Sequence, residues 1–211
     1  MTKPSSPILF YGFALSGHAH RVELMLNVMQ LPYTSIPVDL RKGEQKTPEF
    51  LKMHPFGQVP VIDDRGTIVW DSGAILVYLA SKYGDGALLP TDPVGRAEVQ
   101  RWLSIAAGPL ANGPMTARVS QVFNRPCNME QVHAIANSLL AVMDGHLRDR
   151  EYLVGQRLTI ADIAMYTYTA HAPEGGIDLA PYPNLVRWLG RIEGVPGFVP
   201  MPRSKSGLWA D

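Results

Sequence analysis

A chain of 211 residues, 46% of them hydrophobic and 18% charged, can bury a core without disulfide staples and is too apolar to stay disordered. Nineteen Lys and Arg balance nineteen Asp and Glu, which argues against a nucleic-acid-binding surface, and no apolar run approaches the ~20 residues of a membrane span. The polar segment Met1–Pro7 lacks a signal-peptide pattern, and the single cysteine, Cys127, can form neither an internal disulfide nor, by itself, a zinc site. These features predict a cytoplasmic protein with no nucleic-acid or membrane partner.

The first 83 residues mix two periodicities. Ile8-Leu9-Phe10-Tyr11, closed by Gly12, reads as a buried strand. From Ala19 to Gln30, Val22, Met25, Leu26 and Met29 fall at helical spacing, and Leu31-Pro32 ends the run. Ser35–Val38 reads as a second strand, followed by a polar stretch from Arg41 to His54. Val59–Ile62 and Thr67–Trp70 read as strands joined through Asp64-Arg65-Gly66. Asp71-Ser72 then opens a helix carrying Ile75, Leu76, Tyr78 and Leu79 and ending at Gly84. The order is β-α-β, then β-β-α. A right-handed crossover makes the first pair of strands parallel, and the hairpin adds antiparallel strands to the same sheet.

Gly84–Pro93 (GDGALLPTDP) has the composition of a linker. Beyond it the strand signals vanish. Val99, Trp102, Leu103 and Ala106 mark one amphipathic helix, and Gly108-Pro109 and Gly113-Pro114 interrupt or kink the next segment. A long helix runs through Val132, Ala136, Leu139, Met143 and Leu147 with Asn128 as its cap. Another starts at Thr159, and a last one carries Leu185, Trp188, Leu189 and Ile192. The reading is an α/β domain over 6–84 and an all-helical domain over 93–205.

Three short segments carry chemistry. Ser16 stands just before the first helix. It reads either as an N-cap or as a hydroxyl that, with the helix dipole, favours an anion such as a ligand's thiolate. Pro60 interrupts a strand, which makes it an edge residue, a bulge or a cis peptide. The cis form turns the Val59 backbone outward, free to pair with an extended ligand. Asp71-Ser72 reads either as a helix cap or as a grip on an α-amino acid. In the second reading Ser72 and the helix N-terminus take the carboxylate, and Asp71 takes the ammonium.

Taken together, in this order and inside a βαβ-ββα frame, these segments resemble the glutathione S-transferase family. The resemblance runs from about Ile8 to Phe198 and is nearest the serine-using phi and zeta classes. It implies a thioredoxin-like N-terminal domain, an all-α C-terminal domain, glutathione as co-substrate, an electrophilic small molecule as second substrate, and a homodimer. Ser16, five residues before Arg21, matches the family's catalytic serine. Gly43-Glu44-Gln45-Lys46 resembles the phi-class segment that holds the glycine carboxylate of glutathione. There Lys46 carries over, while Gln45 stands where that class has histidine. Pro55–Pro60 matches the segment with the cis proline, so Gln58, Val59 and Pro60 are implied in binding. Asp71-Ser72 matches the usual Glu-Ser with one methylene less. His18 stands where zeta-class proteins carry cysteine, which argues against their double-bond isomerase activity. The family's second-substrate pocket comes from the early C-terminal helices, where Trp102, Met115, Arg118 and Tyr166 are candidates.

Other residues read as structural. Thr159-Ile160-Ala161-Asp162 is a capping box, with Leu158 and Ile163 placed as its staple. His18 and His20 are two apart and do not share a helix face, so no metal site is expected. No Asp-His partner set accompanies Ser16, so it is not read as an acyl-transfer nucleophile. Glutathione-dependent reduction of disulfides or peroxides, and a non-catalytic binding module on the same fold, are the alternatives.

Overall fold

The computed structural model describes residues 3–210; Met1 and Thr2, the start of the polar segment Met1–Pro7, lie outside them, as does Asp211. The described residues form β1 (Ile8–Gly12), α1 (Gly17–Val28), β2 (Tyr33–Pro37), α2 (Pro48–Met53), β3 (Val61–Asp64), β4 (Thr67–Trp70) and α3 (Ser72–Tyr83), followed by α4 (Pro93–Ala107), α5 (Thr116–Phe123), α6 (Met129–His146), α7 (Ile160–Ala170) and α8 (Pro183–Glu193). The first half is a thioredoxin-like mixed sheet with helices, and the second half is all helical.

The strand order is β2-β1-β3-β4. β1 and β2 are parallel, with Ile8 opposite Tyr33 and Gly12 opposite Pro37. β1 with β3, and β3 with β4, are antiparallel, with Phe10 opposite Ile62 and Ile62 opposite Val69. Pro37 is tolerated because β2 is an edge strand, where a missing ladder donor costs little. Side chains alternate between the two faces of the sheet. Ile8, Phe10 and Ile62 pack with Val22 and Met25 of α1 and Leu76 and Leu79 of α3 in the main core. Val61, Val59 and Val38 pack with Phe50 of α2 on the other face.

Two helices differ from the sequence reading. The polar stretch Arg41–His54 contains α2, with Thr47 as N-cap accepting from the Phe50 N–H and Pro48 at the first helical position. α4 ends at Gly108, and the irregularity expected at Gly113-Pro114 is a local change of helix type. The chain widens into a π-type turn over Ala111–Met115 that absorbs the proline and runs into α5. A Cβ on Gly113 would lie 2.9 Å from the Ala136 nitrogen of α6, so glycine here is required by close helix approach.

The main core is continuous across both halves. α7 is buried almost along its whole length and holds the centre. Its capping box is formed, with the Asp162 carboxylate accepting from the Thr159 N–H at 2.9 Å. The same carboxylate accepts from the Leu153 N–H and the Trp188 indole N–H, each at 2.9 Å. One buried acid thereby ties α8 and the loop before α7 to the α7 N-terminus. The linker is anchored too: Leu88 is buried and its carbonyl accepts the Ile160 N–H at 2.9 Å. No helix among the described residues is long and apolar enough to cross a membrane.

Candidate active site

Ser16 closes the loop after β1 and caps α1. Its Oγ accepts the Ala19 N–H at 3.2 Å. This cap uses a lone pair of the hydroxyl and leaves its proton free to be donated, so capping and donation to a ligand are compatible. Two contacts from the helical half hold the loop. Arg118 of α5 donates from Nη1 to the Leu15 carbonyl at 2.9 Å. Gly17 sits on the Tyr168 ring, where a Cβ would come within 2.6 Å of ring carbons; only glycine lets the α1 N-terminus approach α7 this closely.

At the start of α3, Asp71 is the N-cap, its Oδ1 accepting the Ala74 N–H at 3.0 Å. Its backbone has φ 71° and ψ 125°, a strained combination for a residue with a side chain. Ser72 is buried. Its Oγ accepts from Arg21 Nη1 at 3.3 Å and lies 3.1 Å from His18 Nδ1. Arg21 Nη1 also donates to His18 Nδ1 at 3.0 Å. A guanidinium only donates, so Nδ1 is the accepting nitrogen and the His18 proton sits on Nε2, 3.2 Å from the Met115 sulfur. Burial, then the Arg21 charge, holds His18 down at about 3, so the ring is neutral at pH 7. With the Ser72 proton directed to His18, what the start of α3 offers a ligand is its unpaired first-turn N–H groups.

One cavity of about 440 Å³ is lined by Ser16, Lys46, Gln58, Val59, Pro60, Asp71 and Ser72. Every site residue expected from sequence therefore opens on the same space. The Val59–Pro60 peptide is cis. Among the described residues neither the Val59 N–H nor its carbonyl has a main-chain partner. Lys46 donates from Nζ to the Phe56 carbonyl at 2.8 Å, which leaves two of its three protons for a ligand.

Sequence reasoning missed His18, His54, Trp70 and Arg125 as part of this wall. His54 and Trp70 stack with ring centroids 4.7 Å apart, and burial pushes the His54 imidazole down. Both are neighbours of recognised segments, Pro55–Pro60 and Asp71-Ser72, and adjacency was the available signal. Arg125 follows Asn124, which ends α5 at φ 51°, and no local pattern marks it.

A second cavity of about 310 Å³ meets the first at Ser16, Leu40 and Arg125. Phe13, Leu15, Val119, Phe123 and Tyr168 give it apolar walls, and Arg118 lines it as well. Of the other candidates for a second pocket, Met115 faces His18. Trp102 and Tyr166 are core residues, Trp102 against His146 and Tyr166 bonded to Glu193 at 3.0 Å. His20 turns away from the cavities, to Thr167 and the Val199 carbonyl. Among the described residues no group of three or more metal-ligating side chains is present. Cys127 lies outside both cavities, 3.3 Å from the Met129 sulfur.

Ser16 thus stands where a polar cavity meets an apolar one. The family model described as "Glutathione S-transferase, N-terminal domain" matches residues 15–82, and "Glutathione S-transferase, C-terminal domain" matches residues 116–196. "Glutathione S-transferase GstB" of Escherichia coli is 30% identical over 88% of this chain and 92% of its own length. "Disulfide-bond oxidoreductase YfcG" of the same organism is 34% identical over 87% of this chain and 89% of its own. A solved glutathione S-transferase from Pseudomonas fluorescens superposes with TM-score 0.87 at 35% identity, covering 93% of this chain and 99% of that one. A glutathione transferase homolog from Drosophila mojavensis, solved with bound glutathione, gives TM-score 0.81 at 31% identity, over 90% of this chain and 89% of that one.

Proposed function

This chain belongs to the glutathione S-transferase family and is a glutathione transferase; from that premise we propose that Ser16 activates the thiol of glutathione for attack on an electrophilic small molecule. The position of Ser16 at the junction of the two cavities, with its hydroxyl proton uncommitted by the cap, carries this reading.

In the polar cavity Asp71 receives the γ-glutamyl ammonium, and the α3 N-terminus at Ser72 receives the adjacent carboxylate. The free N–H and carbonyl of Val59 pair with the cysteinyl backbone in the manner of an added strand. Gln58 and Lys46 take the glycyl end, Lys46 through its remaining ammonium protons. The thiol then lies at Ser16. A thiol of pKa ~8.5 is only a few per cent ionised at neutral pH. A hydrogen bond that favours the thiolate by roughly 1.5–3 kcal/mol lowers its pKa by about one to two units. The thiolate sulfur attacks the electrophilic carbon. In an aryl halide the S–C bond forms and halide leaves with the bonding pair; the thiol proton has already gone to solvent. Holding both reactants across Ser16 supplies the proximity.

The glutathione-binding unit at 6–84, the helical unit at 93–205, a cytoplasmic location and a homodimer belong to the same proposal. A second reading, reduction of disulfides by the same thiolate, is favoured by the likeness to the oxidoreductase of Escherichia coli. The deciding experiment titrates the thiolate absorbance of glutathione bound to the wild type and to Ser16→Ala. Ionisation below the free value in the wild type only supports Ser16; equal curves overturn the assignment.

A further inference from the structure

Resting on the transferase reading above, we propose that the second substrate is an anionic electrophile: a single-ring or similarly small apolar body bearing a carboxylate or a comparable anion, read by Arg41 and Arg125.

The second cavity is chemically lopsided. Its walls include Phe13 and Phe123, whose rings stand 6.4 Å apart, and Leu15 and Val119. Its volume of about 310 Å³ is at the small end for a ligand site, which suits one ring and its substituents. The lining has three arginines, Arg41, Arg118 and Arg125, and no acid. Arg118 is balanced by Glu174 behind it. Even so, its Nη2 is buried without a hydrogen-bond partner. Arg41 and Arg125 form no ion pair among the described residues, and neither guanidinium has a hydrogen-bond partner there; Arg41 bonds only through its backbone N–H to Asp39.

Two unbalanced guanidiniums at an apolar cavity are the arrangement that recognises a planar anion bidentately. They also answer a specific electrostatic problem. A carboxylated electrophile approaching a thiolate at Ser16 meets like charge, and Arg125, which lines both cavities, sits where it attracts both anions. A neutral electrophile gains no charge–charge attraction from either arginine. Charge on the electrophile is therefore a specificity determinant of this chain. Chemically the step is unchanged: the S–C bond forms and chloride departs with its electron pair.

The test uses a chlorodinitrobenzoate and its methyl ester, each kcat/KM divided by the uncatalysed rate with free glutathione. In the wild type the carboxylate is favoured over the ester. In R41Q/R125Q that preference falls by about tenfold, and because the readout is a ratio, any loss common to both probes cancels. Binding of the two corresponding S-aryl glutathione conjugates, by calorimetry, reads the same ratio without turnover. No preference in the wild type, or a preference that survives in R41Q/R125Q, overturns the inference. If the wild type binds glutathione and handles the ester but shows no advantage for the carboxylate, this inference alone fails. If it binds neither glutathione nor either conjugate, the transferase reading fails with it.

Discussion

Arg118 donates from Nη1 to the carbonyl of Leu15 at 2.9 Å across 103 residues of sequence, so a side chain of the helical half holds the residue that precedes Ser16. The same guanidinium pairs through Nε with Glu174, and both side chains are buried. Burial raises the Glu174 carboxyl, but the His171 hydrogen bond, the Ser204 N–H and the Arg118 charge outweigh it and hold the group at about 2. Arg118→Met strands that carboxylate and is expected to destabilise the fold by about 3–5 kcal/mol. Replacing both partners, R118M/E174Q, recovers part of the loss, because no unpaired charge remains. Urea unfolding of the four proteins checks this; a double variant as unstable as the sum of the singles contradicts the pairing.

Ser16→Ala is expected to keep glutathione affinity within a few fold, since the other contacts we propose are spread over Lys46, Gln58, Val59 and the α3 N-terminus. The pKa of the bound thiol rises by about one to two units relative to the wild type. Loss of the α1 cap costs about 1 kcal/mol of stability. Thiolate absorbance against pH and a denaturation curve separate the two effects. A variant that unfolds less readily than this while losing its thiolate is acting on chemistry and not on folding.

Asp71→Asn keeps a capping oxygen for the Ala74 N–H and removes only the charge. Because the side chain is exposed, the ion pair we propose with the ligand ammonium is worth about 1 kcal/mol, and glutathione affinity is expected to fall about fivefold. Glutathione lacking its α-amino group should bind wild type and variant alike. An equal loss for both ligands, read by calorimetry, assigns Asp71 to helix capping alone.

Two histidines set an acid limit on stability. Burial and then the Arg21 charge lower His18 to about 3 from 6.5. Burial outweighs the raising effect of the Val199 carbonyl and, with the His171 and Arg118 charges, lowers His20 to about 4 from 6.5. Between those values and 6.5 the unfolded chain binds protons that the folded chain refuses. Stability is therefore full above that range and declines as the pH falls through it. Urea midpoints measured from pH about 7.5 to about 4.5 should fall with acid, and His20→Asn should flatten the profile. A midpoint independent of pH over that range rules out neutral burial of these rings.

Much of the fold was legible locally. The α7 capping box lies within Thr159–Asp162, and the Asn128 cap and the Gln131 N–H it bonds are three residues apart; such short-range bonds are written into consecutive residues. α2 and α5 escaped because a helix of six or eight residues shows too little periodicity, although Thr47-Pro48 was a readable start. Of the seven proposed site residues, Ser16, Val59-Pro60 and Asp71-Ser72 are readable locally, as a helix start, a proline in a strand and a helix cap, whereas Lys46 and Gln58 enter only through the family resemblance.

How those segments meet is set by tertiary packing. Sequence periodicity tells which face of a helix is apolar, but not which neighbour it meets. That is why Trp102 and Tyr166 entered the core while Arg118 reached the site loop. His18 illustrates the same limit. Its neutrality follows from burial and then from the Arg21 charge, and its tautomer from Arg21 on its own helix together with Ser72 and Met115, which are 54 and 97 residues away. Arg125 follows α5, and packing alone brings it to the edge of both cavities. The βαβ-ββα frame, the helical second half and the chemical bias of the turns at Ser16, Pro60 and Asp71-Ser72 are readable in the sequence, because these depend on bonds between near neighbours. The shared cavity, the charge of the second one and the protonation of His18 depend on burial and on distances between remote residues, and those exist only once the core has packed.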